Sequence, residues 1–241
     1  MTISHWFTGL LMAFSFTTTA VPESGLVDLL YPRSTVVAKN FHVNLSADIL
    51  YQNMDLKQTG ISQDAVKYAV EGYNKLLNED RVPNSRYLTI IDFSKALNQK
   101  RFFLLDLQNQ EVVLSTYVMH GKNSGKEDAV RFSNKVNSYK SSLGFYLTSE
   151  TYKGMRGYSL RLDGLEKGFN SNARRRAIVL HGSNYINDTR VKRGKIGRSE
   201  GCPAIPMQQS PGVIDKVKDG SVLFIYHPNK NYLENSPVLN S

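Results

Sequence analysis

Residues 102–118 read FFLLDLQNQEVVLSTYV, and their pattern predicts a β-hairpin. The first half, 102–107, is rich in Phe and Leu, and a polar turn, Gln108-Asn109-Gln110, follows it. The second half, 111–118, is rich in β-branched residues. Aromatic and β-branched runs on either side of a short polar segment are typical of paired antiparallel strands.

Similar short runs recur along most of the chain beyond residue 84. They cover residues 87–92, 144–148, 158–162, 177–180 and 221–226. A helix is predicted over 62–77, where Ser62 is a candidate N-cap and apolar residues recur at helical spacing. A second, short helix is expected at 213–217. Many short strands with few long helices favour a mostly-β fold.

The sequence suggests four segments. Residues 1–20 resemble a secretory signal peptide, because an apolar run is followed by small residues up to Ala20. A membrane anchor or a buried N-terminal helix is the alternative, although the apolar run is shorter than the roughly 20 residues of a spanning helix. We expect a helical lead-in over 21–83, a mostly-β domain over 84–228 and a C-terminal tail over 229–241. An exported protein of this kind would act in the periplasm or cell envelope.

The formal net charge of +9 predicts anionic surroundings, such as nucleic acid, acidic lipid or an anionic wall polymer. The densest basic run, Arg174-Arg175-Arg176, is short and directly precedes an apolar strand. A nucleic-acid-binding function is therefore disfavoured, whereas peripheral association with the cell envelope fits the charge.

Cys202 is the single cysteine of the chain, so no intramolecular disulfide can form. A lone thiol in an exported protein is a candidate reactive group, although a lone Cys is often only a small buried residue. Its surroundings, Gly197-Arg198-Ser199-Glu200-Gly201-Cys202-Pro203, favour reactivity. Gly201 permits a tight turn whose N–H groups can stabilise an oxyanion, and the charge of Arg198 lowers the pKa of a thiol.

His181 follows the apolar run 177–180 and precedes Gly182. A histidine at a strand end is a candidate general base, and a packing role is the alternative. The segment that follows is basic and suits substrates that bear carboxylates. Its basic residues are Arg190, Lys192, Arg193, Lys195 and Arg198.

Two motifs, His181-Gly182 and the segment 197–204, resemble the active-site signature of the YkuD-type L,D-transpeptidases. Further blocks resemble the murein L,D-transpeptidase branch of that family and occur in the same order. They are residues 88–94, 120–125, 132–134, 141–144, 164–166 and 170–173. The resemblance covers residues 60–228 and implies a YkuD-like β-sandwich or barrel catalytic domain, with short helices and a helical N-terminal segment.

The resemblance also implies cysteine-dependent acyl transfer on peptidoglycan stem tetrapeptides. Cys202 would form a thioester acyl-enzyme, and His181 would act as the base, oriented by a backbone carbonyl near Gly182. Ser199 would lie close to this pair, and the amides of Gly201 and Cys202 would form the oxyanion hole. Neither a metal ion nor any other cofactor is implied.

Two positions depart from the family pattern. Glu200 stands where many relatives carry His, and Ala204 stands where many carry Arg. Another arginine would then have to hold a substrate carboxylate, and Arg198 and Arg176 are the candidates.

His120 and Asn170 are further candidates for substrate contacts. His120 opens a glycine-rich segment after an apolar run, which places it either at the cleft rim or in an ordinary turn. Asn170 could face the cleft, and turn chemistry explains it equally well. The alternatives to transpeptidation are an L,D-carboxypeptidase or hydrolase acting on the same peptides, and a non-catalytic wall-binding module. The sequence indicates no oligomeric state.

Overall fold

A computed structural model of the protein describes residues 44–240. The expected signal peptide, 1–20, and residues 21–43 of the expected lead-in lie outside the described residues.

An eight-stranded sheet forms the centre of the described chain, in the order β3-β2-β1-β8-β4-β5-β6-β7. The strands are β1 Tyr87–Asp92, β2 Phe102–Asp106, β3 Glu111–Thr116, β4 Gly144–Gly154, β5 Gly157–Gly164, β6 Val179–Ser183, β7 Ala204–Pro206 and β8 Val222–Tyr226. Neighbouring strands are antiparallel except for the pairs β1–β8 and β6–β7, which are parallel. The predicted mostly-β fold is therefore confirmed.

Strands β2 and β3 form the predicted hairpin, with Phe102 opposite Thr116 and Asp106 opposite Glu111. Asp106 closes the turn, because its Oδ1 accepts the backbone N–H groups of Gln108 and Asn109, each at 3.1 Å. A carboxylate that bonds to the backbone just after it is typical turn chemistry.

The two open edges of the sheet approach each other and make it an incomplete barrel. After β3, Met119 pairs antiparallel with Ala204 of β7, and Gly121 pairs with Ser199. Strand β7 was not predicted, because a three-residue strand is too short to show a hydrophobic period. The barrel-like form implied by the sequence is thereby confirmed.

Six helices surround the sheet in residues 44–240. They are α1 Ala47–Asn53, α2 Leu56–Thr59, α3 Gln63–Asn78, α4 Asp188–Lys192, α5 Ser210–Val217 and α6 Lys230–Asn235. Helix α3 confirms the prediction over 62–77, and the Ser62 Oγ accepts the N–H of Ala65 at 3.2 Å as an N-cap. The buried stripe of α3 packs into the same core as the strands, so the helix contributes to the core of the domain.

The C-terminal residues 229–240, which the sequence set apart as a tail, belong to the same packed unit as the sheet. Tyr232 of α6 is fully buried, and its hydroxyl donates to Glu166 Oε2 at 2.9 Å. Glu166 also accepts from Ser236 Oγ and from the Phe145 N–H. Burial raises the pKa of the Glu166 carboxyl, and the three hydrogen-bond donors partly offset that rise.

No helix within residues 44–240 is both long enough and apolar enough to cross a bilayer.

The contact between α3 and β4 gives a stability prediction. A Cβ added to Gly72 would overlap the ring of Phe145, which is fully buried and stacked on Phe224 with ring centroids 4.2 Å apart. We expect Gly72→Ala to lower the free energy of unfolding by about 1–3 kcal/mol, because overpacking displaces a core ring. Urea unfolding measures the change.

Gly212→Ala is the matched control. Gly212 lies on the exposed side of α5, and no heavy atom lies within 4 Å of an added Cβ. The helix propensity of Ala should then leave stability unchanged or raise it by up to about 1 kcal/mol. Equal effects of the two substitutions would contradict the packing explanation.

Candidate active site

Strands β6 and β7 bring the candidate base beside the candidate nucleophile. His181 pairs with Ala204, and its N–H lies 3.4 Å from the Pro203 carbonyl oxygen. Cys202, immediately before Pro203, therefore lies against β6, where the Val179 N–H is 3.5 Å from Sγ. The parallel pairing thus joins two residues that are distant in sequence.

His181 is buried and lies within β6 rather than at its end. Its Nδ1 is 2.8 Å from the Gly182 carbonyl oxygen. Because a carbonyl can only accept, Nδ1 carries the proton and Nε2 is left with a lone pair. Burial lowers the pKa of His181, the Gly182 carbonyl opposes that shift, and the charge of Arg156 adds to it. The imidazole is thus kept neutral and able to accept a proton.

The Cys202 side chain is half-buried and contacts backbone groups. Its Sγ lies 3.5 Å from the Ala177 carbonyl oxygen and 3.5 Å from the Val179 nitrogen. Burial raises the pKa of the thiol, while the Val179 N–H, Arg156 and Arg176 lower it. No hydrogen bond joins Sγ to the His181 ring in the described part of the chain. The pair is consequently a neutral thiol beside a neutral imidazole.

The turn before Cys202 is fixed by Ser199 and Gly201. Gly201 has a φ of +124°, which an L side chain rarely adopts, and its N–H donates to Ser199 Oγ at 3.1 Å. Ser199 is buried, and its own N–H donates to the His120 carbonyl at 2.9 Å. Across residues 44–240 the Cys202 N–H has no hydrogen-bond acceptor. The turn therefore leaves the Cys202 amide as a free donor.

His120 is fully buried and has both ring nitrogens engaged. Arg101 Nη2 donates to Nδ1 at 2.7 Å, and Nε2 is 3.2 Å from the Gly125 carbonyl oxygen. Burial and the charge of Arg101 lower the pKa of His120 to about 4. Burial of the ring favours the turn over the cleft rim, and the His120 carbonyl, which accepts the Ser199 N–H, links this turn to the segment before Cys202.

Asn170, for which the cleft and an ordinary turn were the two alternatives, is fully buried. Its Oδ1 accepts the Glu166 N–H at 2.8 Å and its Nδ2 donates to the Phe145 carbonyl at 2.9 Å. Asn170 therefore ties a turn to β4 and does not face the cleft.

Arg176 lies near Cys202, but its donors are mostly occupied. Its guanidinium donates to Ser133 O, Ser142 Oγ, Ser138 Oγ and Lys140 O. Within residues 44–240, Nε–H is the one of its five donors without an acceptor, so Arg176 anchors the 133–142 segment and supplies charge rather than a substrate clamp.

Arg198 is exposed, and its Nη1 donates to the Gly125 carbonyl at 3.0 Å. Unlike Arg176, it keeps most of its donors. Glu200, the other unusual position, is exposed and pairs with Lys122 at 3.2 Å.

Arg156 is a site residue that the sequence did not reveal. It lies in the turn between β4 and β5, and Ser159 of β5 pairs with His181 of β6. The side chain is exposed, and its charge lowers the pKa of both Cys202 and His181. The β4–β5 hairpin lies next to His181 only because β5 pairs with β6 in the sheet, and no local sequence motif predicts that position.

Among residues 44–240, no group of three or more His, Cys, Asp or Glu side chains is placed to hold a metal ion.

The family described as L,D-transpeptidase catalytic domain matches residues 57–226. The chain therefore belongs to this family, as its motifs suggested. A comparison with curated proteins gave no match.

Solved structures with a similar chain path include three L,D-transpeptidases. One from Mycobacterium smegmatis is 12% identical over 59% of this chain and 59% of its own, with a TM-score of 0.37. L,D-transpeptidase 1 from Mycobacterium tuberculosis is 12% identical over 59% of this chain and 62% of its own, with a TM-score of 0.32. One from Xylanimonas cellulosilytica is 16% identical over 74% of this chain and 93% of its own, with a TM-score of 0.34. The chain thus spans about three fifths of the length of the two mycobacterial proteins.

The position of Arg156 gives a prediction for thiol reactivity. Its charge lowers the pKa of Cys202, so Arg156→Gln should raise that pKa and shift the alkylation profile to higher pH. At a pH below the thiol pKa, alkylation by iodoacetamide should slow by about two- to threefold, the effect of a partly screened charge. Rates measured across the pH range test this.

Lys153→Gln is the control, because Lys153 lies in the same hairpin and is not among the charges that act on Cys202. An equal shift in both variants would show that the hairpin, and not the charge of Arg156, sets the thiol pKa.

Proposed function

We propose that this protein is a murein L,D-transpeptidase that acts on peptidoglycan stem tetrapeptides through a Cys202 thioester. The observation that carries the proposal is the arrangement of His181. Its ring is buried, the Gly182 carbonyl accepts Nδ1–H, and Nε2 keeps its lone pair. The strand that carries it, β6, lies beside Cys202. Membership of the L,D-transpeptidase family supports the substrate class.

The acylation step follows from the protonation states. Sγ rotates away from the Ala177 carbonyl and attacks the carbonyl carbon of the L,D bond, while its proton passes to His181 Nε2. Because burial disfavours both the thiolate and the imidazolium, proton transfer accompanies the attack rather than preceding it. The C–N bond then breaks, His181 returns the proton to the leaving D-alanine nitrogen, and a thioester remains.

The oxyanion of the tetrahedral intermediate needs preorganised donors. The Cys202 N–H is free to serve, and the Gly201 N–H, now bonded to Ser199 Oγ, is the second candidate. Ser199 in this proposal fixes the turn that presents both amides.

A positive charge must take the role of the arginine that is missing at Ala204. Arg156 and Arg198 are exposed, whereas Arg176 is mostly occupied. The β4–β5 hairpin that carries Arg156 pairs with the strand of His181, and its charge acts on both reacting groups, so we assign Arg156 the carboxylate of the donor peptide. Arg198, which keeps most of its donors free, is the second candidate. The proposed place of action is the cell envelope, which the charge of +9 suits because wall polymers are anionic.

Acylation by a carbapenem-type β-lactam tests the two central residues. Wild type should gain the mass of one adduct, Cys202→Ala should gain none, and His181→Ala should acylate at least about a hundredfold more slowly, the usual loss for a general base. Intact-protein mass spectrometry measures the adduct, and circular dichroism checks the fold. An adduct on Cys202→Ala would move the nucleophile elsewhere, and a normal rate for His181→Ala would move the base.

Purified tetrapeptide muropeptides test the reaction itself. A transpeptidase should release D-alanine and yield cross-linked dimers, because an amine takes the acyl group. An L,D-carboxypeptidase should yield tripeptides only, since water takes it. A wall-binding module should leave the muropeptides unchanged while still sedimenting with sacculi. Chromatography with mass detection separates the three outcomes.

A further inference from the structure

A cavity of about 600 Å³ lies beside the candidate active site. It is bounded by the ends of β6 and β7, by the segment that includes the end of β3, and by the loop that carries α4. Representative lining residues are Ser183, Pro206, Tyr117, Lys100, Arg193 and Lys195. Cys202 and His181 do not line it, so it is a separate compartment.

The cavity opens on the same sheet face as the His181 ring. Ser183 and His181 are two residues apart in β6, so their side chains point to the same side. Each strand residue advances about 3.3 Å, which places the Ser183 wall of the cavity about 7 Å along the strand from His181. A peptide bound in the cavity therefore lies within reach of the proposed base.

The lining of the cavity is strongly basic. Lys100, Arg190, Arg193 and Lys195 line it with one carboxylate, Asp188. The charge of Asp188 raises the pKa of the neighbouring Tyr117 hydroxyl, and this single carboxylate neutralises the cations only in part.

Three of these cations have no partner in the fold. The side chains of Lys100, Arg193 and Lys195 are exposed and make no hydrogen bond or ion pair within residues 44–240. Arg190, by contrast, donates to the Lys195 carbonyl at 3.1 Å and stacks on Tyr185. The three unpaired cations are thus available to a ligand, while Arg190 holds the loop.

We propose that this cavity binds the carboxylates of the acyl acceptor, a second stem peptide whose free amine then reaches the thioester beside His181. The inference rests on the proposed function, which requires an acceptor. The cations attract carboxylates and repel an ammonium group, so they orient the acceptor with its carboxylates inside and its amine outside. The same field lowers the pKa of that amine and favours its neutral, nucleophilic form.

The transfer step involves only the amine of the acceptor, the thioester and His181. The amine nitrogen attacks the thioester carbonyl, the C–N bond forms, and the C–S bond breaks. The proton of the amine passes to His181 Nε2 and then to the departing sulfur, which restores the thiol.

A binding experiment tests the proposed role of the cavity independently of catalysis. The probe is a stem tripeptide with a free side-chain amine, titrated into the full chain carrying Cys202→Ala. We expect the triple change Lys100→Gln, Arg193→Gln and Lys195→Gln to weaken binding by about tenfold, the combined effect of three exposed charge contacts. Arg81→Gln, an exposed arginine paired with Glu79 at the end of α3, is the matched control and should bind normally.

Amidation of the tripeptide carboxylates should weaken binding as much as the triple change does. Unchanged binding in the triple variant, or equal binding of the amidated peptide, would overturn the proposal. Competition by a poly(glycerol phosphate) together with equal binding of the amidated peptide would assign the cavity to a wall polymer instead.

The ratio of dimers to tripeptides provides the second readout, measured in proteins that retain Cys202. The triple variant should give fewer dimers and more tripeptides than wild type, because water then competes better for the same thioester. Acylation by the β-lactam needs no acceptor and reports separately on the proposed function. If wild type is not acylated, the proposed function fails, and the binding experiment still decides the cavity. An unchanged ratio of dimers to tripeptides would overturn its role in acceptor binding.

Discussion

The parallel pairing of β6 with β7 holds the candidate site together. His181 and Cys202 belong to segments separated by a basic loop, and they meet because His181 pairs with Ala204. A shift of one residue in this register would turn the imidazole to the other face of the sheet, since strand side chains alternate. The bridge from Met119 to Ala204 covers the outer edge of β7, so this three-residue strand has a neighbour on each side. The near-closure of the barrel thus holds β7 in place and keeps Cys202 beside His181.

Beneath the pair lies a second, buried polar layer. Arg101 is fully buried, and within residues 44–240 it has no carboxylate in hydrogen-bond contact; it donates to Lys95 O, Val118 O and His120 Nδ1. Burial lowers its pKa to about 9. Such a group persists in a core only when its donors are satisfied, and these acceptors fix the chain from Val118 to His120. Because the His120 carbonyl in turn accepts from Ser199, the shape of the nucleophile turn depends on this layer.

Charge is distributed around the reacting groups rather than on them. Cys202 and His181 are both kept near neutrality by burial, while Arg156 lies in the β4–β5 turn next to β6 and the basic cavity lies at the ends of β6 and β7. A neutral pair in a low-dielectric pocket needs no counter-ion at rest, and in the proposed reaction the surrounding cations bind the carboxylates of the peptides. Because the reacting pair is neutral and the cations lie around it, the metal-free cysteine chemistry proposed for the site is compatible with a strongly basic protein.

The hairpin at 102–118 and helix α3 were predictable because each depends on local periodicity and turn residues. The candidate nucleophile and base came from two short motifs, His181-Gly182 and residues 197–204, whose resemblance to a family signature can be recognised along the chain. Strand β7, the burial of His120 and Asn170, and the positions of Arg156 and the basic cavity depended on which segments pack together. By itself the sequence determined the candidate reactive groups, whereas only the tertiary structure decided their protonation, their hydrogen-bond partners and the charges that surround them. Burial and strand register are properties of the packed sheet, and no local run of residues encodes them.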